Sequence, residues 1–150
     1  ELYFPVTKKK PARKHSTISI DQYRGNEKIL VIDDIEEQRE VASKILSDLG
    51  YWVTAVSSGE EAIEYMKTNS VDLLVIDMIL ENGINGLETY QRILDTHPGQ
   101  KAIIVSGFSE TDEVKKMQGL GAGIYIKKPY TIEQLGRAVR LELNPQAGGA

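Results

Sequence analysis

The chain has 150 residues, 41% of them hydrophobic, which suffices for one domain with a buried core, and it has no cysteine, which excludes disulfides, thiol nucleophiles and thiolate metal sites. No apolar run reaches the roughly 18 residues of a membrane helix, so we expect a soluble, cytoplasmic chain without membrane contact. Residues 25–150 carry twelve basic and twenty acidic residues, and such an acidic body argues against nucleic acid as a partner.

Both ends of the chain are predicted to lie outside the domain, which we place at residues 27–144. Residues 8–26 contain a basic run from Lys8 to Lys14 that could be a nucleic-acid arm. Pro11 and its polar neighbours favour a solvated linker instead. Residues 145–150 are predicted to form a flexible tail. We therefore expect that residues 1–24 can be removed without loss of stability.

Five short apolar runs alternate with five segments of helical period. The runs cover residues 29–32, 52–56, 71–76, 102–105 and 124–126. The helical stripes are Val41, Ala42, Ile45, Leu46 and Leu49; Ala62, Ile63 and Met66; Leu87, Tyr90, Ile93 and Leu94; Val114, Met117 and Leu120; and Ile132, Leu135, Ala138 and Val139. This alternation predicts an α/β fold, in which a five-stranded parallel sheet carries helices on both faces. Trp52, the single tryptophan, is interpreted as a packing residue of the second strand.

Helix ends carry recognisable signals. Gly50 is predicted to end the first helix as a C-terminal cap, and Pro98 to follow the third. Ser58 with Glu61, and Thr131 with Gln134, have the spacing of a capping box at the start of the second and fifth helices.

Polar side chains follow four of the predicted strands. They are Asp33 and Asp34 after the first, Asp77 after the third, Ser106 after the fourth and Lys128 after the fifth. Ligand sites of such sheets lie at the carboxyl ends of the strands, where three crowded carboxylates would repel one another without a cation. Oxygen ligands alone favour Mg²⁺. Each residue alone is more often a simple cap or turn residue, but their joint occurrence favours a site.

These positions resemble the receiver domains of two-component signalling over residues 27–143. The matching motifs are Val31-Ile32-Asp33-Asp34, Val75-Ile76-Asp77-Met78, Ile104-Val105-Ser106-Gly107 and Tyr125-Ile126-Lys127-Lys128-Pro129-Tyr130. The resemblance implies a flavodoxin-like (βα)₅ fold with strand order 2-1-3-4-5. One departure is the loop of residues 80–86, which is one residue longer than usual and lacks the usual proline.

The resemblance also implies a role for each residue. Asp77 would accept a phosphoryl group, and Mg²⁺ would bind Asp34, Asp77 and the main-chain carbonyl of Ile79, with Asp33 acting through a water. Lys128 and Ser106 would contact phosphoryl oxygens. Ser106 and Tyr125 would form a switch that alters the surface of the fourth helix, fifth strand and fifth helix. Ile79 and Phe108 would flank the approach of the hydrolytic water and make hydrolysis slow.

The phosphoryl donor is expected to be a histidine kinase outside this chain, acting in cis or in trans. Residues 1–7 resemble the last strand of the ATP-binding domain of sensor histidine kinases. This resemblance favours a hybrid histidine kinase as the parent protein, with this chain as its C-terminal receiver. Such a parent would be a phosphotransferase, in some cases with a membrane anchor. For residues 1–7 the alternative is a tag remnant. For the whole chain the alternatives are a stand-alone regulator and a phosphorylation-independent pseudo-receiver. A downstream phosphotransfer or output domain is a further expected partner, and weak homodimerisation is left open.

Two other classes fit less well. A haloacid-dehalogenase-like phosphatase needs a second aspartate two residues after its nucleophile, where this chain has Ile79. A flavodoxin-like electron carrier needs a phosphate-binding loop after the first strand, where Asp33 and Asp34 would repel a phosphate.

Overall fold

The computed structural model describes residues 22–81, 83–107 and 111–144, in which five strands alternate with five helices. The strands are β1 (Lys28–Ile32), β2 (Trp52–Val56), β3 (Leu73–Asp77), β4 (Ala102–Ser106) and β5 (Tyr125–Lys127). The helices are α1 (Glu36–Asp48), α2 (Gly59–Thr68), α3 (Gly86–Thr96), α4 (Asp112–Leu120) and α5 (Ile132–Leu143). The predicted α/β class is confirmed.

All five strands are parallel and lie in the order β2-β1-β3-β4-β5, as the resemblance implied. The strand β3 is central, and all five of its residues are buried. Ile32 pairs with Ile76, so β1 and β3 end at the same level. The residues that follow these two strands therefore meet at one edge of the sheet.

The sheet buries a separate apolar layer on each face. Leu30 and Ile32 face the layer formed with α2, α3 and α4, whereas Ile29 and Val31 face the layer formed with α1 and α5. Successive strand side chains point to opposite faces, so a strand covered on both sides must be apolar throughout. Within the described residues every helix is too short or too polar to cross a lipid bilayer.

The predicted helix ends are largely confirmed. Thr131 and Gln134 form a complete capping box at α5. The Ser58 side chain accepts a hydrogen bond from the Glu61 amide, but the Glu61 carboxylate bonds to Ser57 rather than closing the box on Ser58. The chain leaves α1 through Gly50, whose φ of 102° suits glycine.

The strand β2 corrects one prediction. Trp52 is not a packing residue, because 70% of its surface is exposed. As the outermost strand, β2 has no fully buried residue and exposes Trp52 and Ala55, in contrast to the continuous burial of β3. Three members of the predicted helical stripes are also exposed, namely Val41, Leu120 and Ile132.

The end of the predicted linker contacts the domain. Tyr23 packs against the apolar layer of α1 and α5, and its carbonyl oxygen accepts a hydrogen bond from the Tyr51 hydroxyl at 3.0 Å. The Gly25 amide donates to the Leu49 carbonyl at 3.0 Å. The described end of the predicted linker therefore contacts the domain through Tyr23 and Gly25, and we expect these two residues to contribute to its stability. The segments 1–7 and 145–150 lie outside the described residues.

Candidate functional site

The ends of β1 and β3 bring three carboxylates together, as the strand order requires. Asp33 and Asp34 follow β1, and Asp77 ends β3. One oxygen from each carboxylate lies within 4.8 Å of the other two. Asp33 and Asp77 are buried and Asp34 is half-buried. This oxygen-rich cluster has the donor chemistry of a Mg²⁺ site.

Lys128 joins two of these carboxylates. Its Nζ donates to Oδ2 of Asp33 at 2.7 Å and to Oδ2 of Asp77 at 3.0 Å. Its amide donates to the Ser106 carbonyl at 2.7 Å, which fixes the start of the β5–α5 loop against the end of β4. Ser106 is buried with 3% of its surface exposed. The sheet edge therefore gathers the five residues that the four motifs predicted.

Backbone amides orient the three carboxylates. The Ile35 amide donates to Oδ1 of Asp33 at 2.9 Å, and the Ile79 amide donates to Oδ1 of Asp77 at 3.0 Å. Oδ2 of Asp34 accepts the amide of Glu81 at 2.9 Å. Each side chain is thus held in place by the loop that follows or faces it.

Burial and neighbouring charges shift the pKa values in the site. Burial raises the pKa of Asp77, and the negative charge of Asp33 adds to this, while the bonds from Lys128 and from the Ile79 amide only partly offset it. Burial alone would lower the pKa of Lys128, but its bonds to Asp33 and Asp77 raise it overall. Three carboxylates face one ammonium group in this cluster, so a bound cation would relieve the repulsion.

The structure adds two residues to which the sequence analysis assigned no role. Tyr130 is half-buried, and burial together with the charges of Asp33 and Asp77 raises its pKa to about 12. Its place two residues after Lys128 is the only sequence signal for it. Glu60 accepts the Ile84 amide at 3.0 Å and so holds the lengthened loop after β3 from the side of α2. No sequence pattern indicated Glu60, because Glu60 and Ile84 are 24 positions apart in the chain.

The remaining predicted residues lie around the site in different environments. Tyr125 is half-buried and packs against the layer formed with α2, α3 and α4. Ile79 is 42% exposed beside Asp77. Lys127 is exposed, in contrast to Lys128. Phe108 lies outside the described residues.

An open groove of about 360 Å³ lies beside Lys128. It is lined by Gln38, Val41, Gly107, Lys128, Pro129 and Tyr130. Its walls come from α1 and from the loops after β4 and β5. The groove therefore gives a partner access to the edge of the sheet at Lys128.

Comparisons with known proteins agree with this arrangement. The model of the response regulator receiver domain family matches residues 29–140. The chain is 28% identical over 115 residues to the sporulation initiation phosphotransferase F of Bacillus subtilis, a match that covers 77% of this chain and 92% of that protein. It is 28% identical over 143 residues to the sensor kinase CckA of Brucella abortus, covering 94% of this chain but 14% of the kinase.

A solved structure shares the fold. The CheY-like response regulator receiver domain protein from Methanospirillum hungatei superposes with a TM-score of 0.75 at 24% identity, and the match covers 84% of this chain and all of that one. At this identity the likeness concerns the fold alone.

Proposed function

Since this chain belongs to the response regulator receiver domain family, in which phosphorylation of an aspartate is general, we propose that Asp77 is the residue that accepts the phosphoryl group. The observation that carries this assignment is the position of the Asp77 carboxylate. It ends the central strand, is buried, and is bonded at one oxygen by Lys128 and at the other by the Ile79 amide.

Phosphoryl transfer here would depend on positioning and charge. A carboxylate oxygen of Asp77 forms a bond to phosphorus while the bond between phosphorus and the donor's imidazole nitrogen breaks, and the nitrogen keeps the electron pair. A carboxylate is a weak nucleophile, so its fixed orientation matters. The Lys128 ammonium would move from the carboxylates to the developing phosphoryl charge, and the Ser106 hydroxyl would donate a hydrogen bond to another oxygen.

The three carboxylates fit a magnesium ion. Asp34, Asp77 and the main-chain carbonyl of Ile79 would ligate it, with Asp33 acting through a water. When bound, Mg²⁺ would neutralise charge on the phosphoryl oxygens. The fit rests on the grouping of three carboxylate oxygens within 4.8 Å and on the excess of negative charge over the single Lys128 ammonium.

Readout of the phosphorylated state is assigned to Ser106 and Tyr125. A move of the Ser106 hydroxyl toward the phosphoryl group would open space behind it, into which the half-buried Tyr125 ring can turn. The surface of α4, β5 and α5 would change as a result, by a shift between two populated states. Ile79 and Phe108 are proposed to restrict the hydrolytic water.

We assign the donor role to a histidine kinase, which would approach through the groove at Lys128. The C-terminal receiver of a hybrid sensor kinase is the favoured parent, because the match to CckA covers 94% of this chain and so extends upstream of the family domain at residues 29–140. A stand-alone regulator is the second candidate, supported by the 92% coverage of the Bacillus protein. Partners downstream would be phosphotransfer or output domains.

The test is incubation with Mg²⁺ and acetyl phosphate, followed by intact-mass measurement. The parent chain and the control Asp95→Asn, whose altered residue is exposed on α3, should each gain one phosphoryl group. Asp77→Asn should gain none. An undiminished adduct on Asp77→Asn would overturn the assignment, and a pseudo-receiver would show no adduct on any of the three proteins.

A further inference from the structure

One edge of the sheet is open in the part of the chain that the structure describes. The strand β2 is outermost, and the only strand it pairs with there is β1. The Trp52 amide donates to the Glu27 carbonyl, so the even-numbered residues of β2 direct their backbone polar groups toward β1. In an extended strand the alternate residues direct theirs to the other side. The amides and carbonyls of Val53 and Ala55 therefore point outward from the sheet.

The helices beside β2 leave this edge accessible on both faces of the sheet. Trp52 shares one face with Thr54, whose hydroxyl oxygen lies 3.3 Å from that of Tyr65 on α2. Trp52 is nevertheless 70% exposed. Ala55 lies on the opposite face, the side of α1, and is exposed as well. An approaching strand can therefore reach the outward backbone groups of β2.

The strand β2 lacks the features by which edge strands usually avoid association. Such strands commonly carry a charged side chain, a proline or a bulge. From Leu49 to Ser58 the chain has no charged residue and no proline, and β2 pairs with β1 in an unbroken register. Its sequence, Trp-Val-Thr-Ala-Val, is rich in aromatic and β-branched residues, which favour strands. This edge is therefore suited to accept a further strand.

We propose that a second copy of this chain supplies that strand, so that the two β2 strands pair in antiparallel orientation about a two-fold axis at Thr54. Thr54 then faces its own counterpart, and Trp52 of each copy faces Val56 of the other. Pairs of threonines, and pairs of an aromatic with a β-branched residue, are among the cross-strand pairs that stabilise antiparallel strands. The pairing would also cover the exposed ring of Trp52.

The symmetry of the outward groups favours a second copy over an unrelated peptide. Val53 and Ala55 lie one residue on either side of Thr54, so the two-fold axis places Val53 of each copy opposite Ala55 of the other. In an antiparallel ladder such a pair exchanges both of its N–H···O bonds. A two-fold contact requires a surface that is complementary to itself. The strand β2 meets this requirement in its backbone and in its side chains, and it carries no charge that would repel its copy.

Such a dimer would have one continuous sheet and would leave the other surfaces of each copy free. The strand β5 lies at the opposite edge of each sheet, so the surface of α4, β5 and α5 would stay accessible. The two copies of Asp77 would lie at opposite ends of the joined sheet, because the strands of the two copies run in opposite directions. The inference concerns the β2 edge and stands independently of the role of Asp77.

Charges placed at the two-fold axis test this pairing in the full chain. In sedimentation equilibrium the parent should show a reversible monomer–dimer equilibrium at concentrations up to about 1 mM, the range of weak association. Thr54→Lys and Thr54→Glu each place like charges opposite one another and should each raise the dissociation constant at least tenfold. An equimolar mixture of the two variants should dimerise at least as tightly as the parent, because opposite charges then face each other.

The matched control is Thr96→Lys, which adds the same charge at an exposed position on α3 and should leave the dissociation constant unchanged. A parent that stays monomeric up to the highest concentration would overturn the proposal. So would a Thr54→Lys variant that dimerises like the parent. A mixture of Thr54→Lys and Thr54→Glu that stays monomeric would exclude a two-fold axis at this residue and would equally overturn it.

Amide hydrogen exchange supplies a second readout that resolves individual strand positions. At concentrations well above the dissociation constant, the amides of Val53 and Ala55 should exchange at least tenfold more slowly than in dilute protein. The amide of Trp52, which donates to Glu27, is the internal reference and should not change. Protection of Val53 and Ala55 that is independent of protein concentration would assign the edge to a segment of the same chain and would overturn the proposal.

Discussion

The ammonium nitrogen of Lys128 lies 3.0 Å from Oδ2 of Asp77, although 51 residues separate them in the chain. The same nitrogen lies 2.7 Å from Asp33, and the three side chains are largely buried. Lys128 therefore links the two buried carboxylates of the unphosphorylated site. It also stands where a phosphoryl group on Asp77 would need a counter-charge.

Removal of this charge should destabilise the site. In a chelating buffer, Lys128→Met should lower the free energy of unfolding by about 3 kcal/mol, because the buried carboxylates of Asp33 and Asp77 lose the ammonium group that bonds them. Mg²⁺ should restore much of this loss, since a bound divalent ion offsets the same charges. Phosphorylation by acetyl phosphate should slow about 100-fold. Urea unfolding with and without Mg²⁺, and the rate of adduct formation, measure these effects.

The adjacent lysine is the control for that experiment. Lys127 is exposed, so Lys127→Met should change neither stability nor phosphorylation appreciably. If the two variants behaved alike, the ion pairs of Lys128 would not be important for the site.

Hydrolysis of the phosphorylated state should depend on Ile79. This side chain is 42% exposed beside Asp77 and is apolar, so it cannot orient a water by hydrogen bonding. Ile79→Asn should therefore dephosphorylate several-fold faster after the donor is removed, as followed by mass spectrometry. Ile132→Asn, which changes an isoleucine of similar exposure on α5, should decay at the parent rate. Equal or slower decay in Ile79→Asn would show that Ile79 does not control access of water.

A second ion pair lies away from the site and should give stability a pH dependence. Arg140 donates to both carboxylate oxygens of Glu27, and this hydrogen bonding lowers the pKa of Glu27 below its ordinary value of 4.5. A lowered folded-state pKa stabilises the fold above pH 4.5, and the contribution is lost as the pH falls through the folded-state value.

Glu27→Gln should therefore cost about 1–2 kcal/mol at neutral pH. The difference from the parent should shrink in acid as the Glu27 carboxylate becomes protonated. Urea unfolding across this pH range is the measurement. Glu64→Gln removes an exposed pair with Lys67 and should cost little at any pH. A pH-independent cost of Glu27→Gln would rule out the carboxylate charge as its source.

The domain boundary can be tested by two truncations. A chain that starts at Gln22 keeps the packing of Tyr23 and the bonds of Tyr23 and Gly25, whereas a chain that starts at Asn26 loses them. The shorter chain should melt at least about 5 °C below the longer one. Differential scanning calorimetry of both proteins measures this. Equal melting temperatures would mean that residues 22–25 contribute nothing to the fold.

Local patterns predicted much of this molecule. The strand ends at Asp33, Asp77 and Ser106 could be read from the sequence because each follows a continuous apolar run. The parallel sheet then required these ends to share one edge. The identification of Lys128 rather than Lys127 came from its position beside Pro129, and the structure places Lys128 against the carboxylates.

Features that depend on distant parts of the chain were missed. Trp52 is exposed because β2 lies at the edge of the sheet. An apolar run in the sequence does not show whether its strand is central or at the edge. The hydrogen bond from Glu81 to Asp34 depends on the path of a loop, and the contact of Tyr23 with Tyr51 depends on how the linker folds back. Neither follows from the spacing of residues along the chain.

The central claim is that the phosphoryl group resides on Asp77, and the most direct measurement is the location of the acyl phosphate. Borohydride reduction of the phosphorylated chain, followed by peptide mass spectrometry, converts the modified aspartate to homoserine and marks its position. The account predicts homoserine at position 77, with Asp33 and Asp34 intact. Homoserine at position 33 or 34 instead would contradict it.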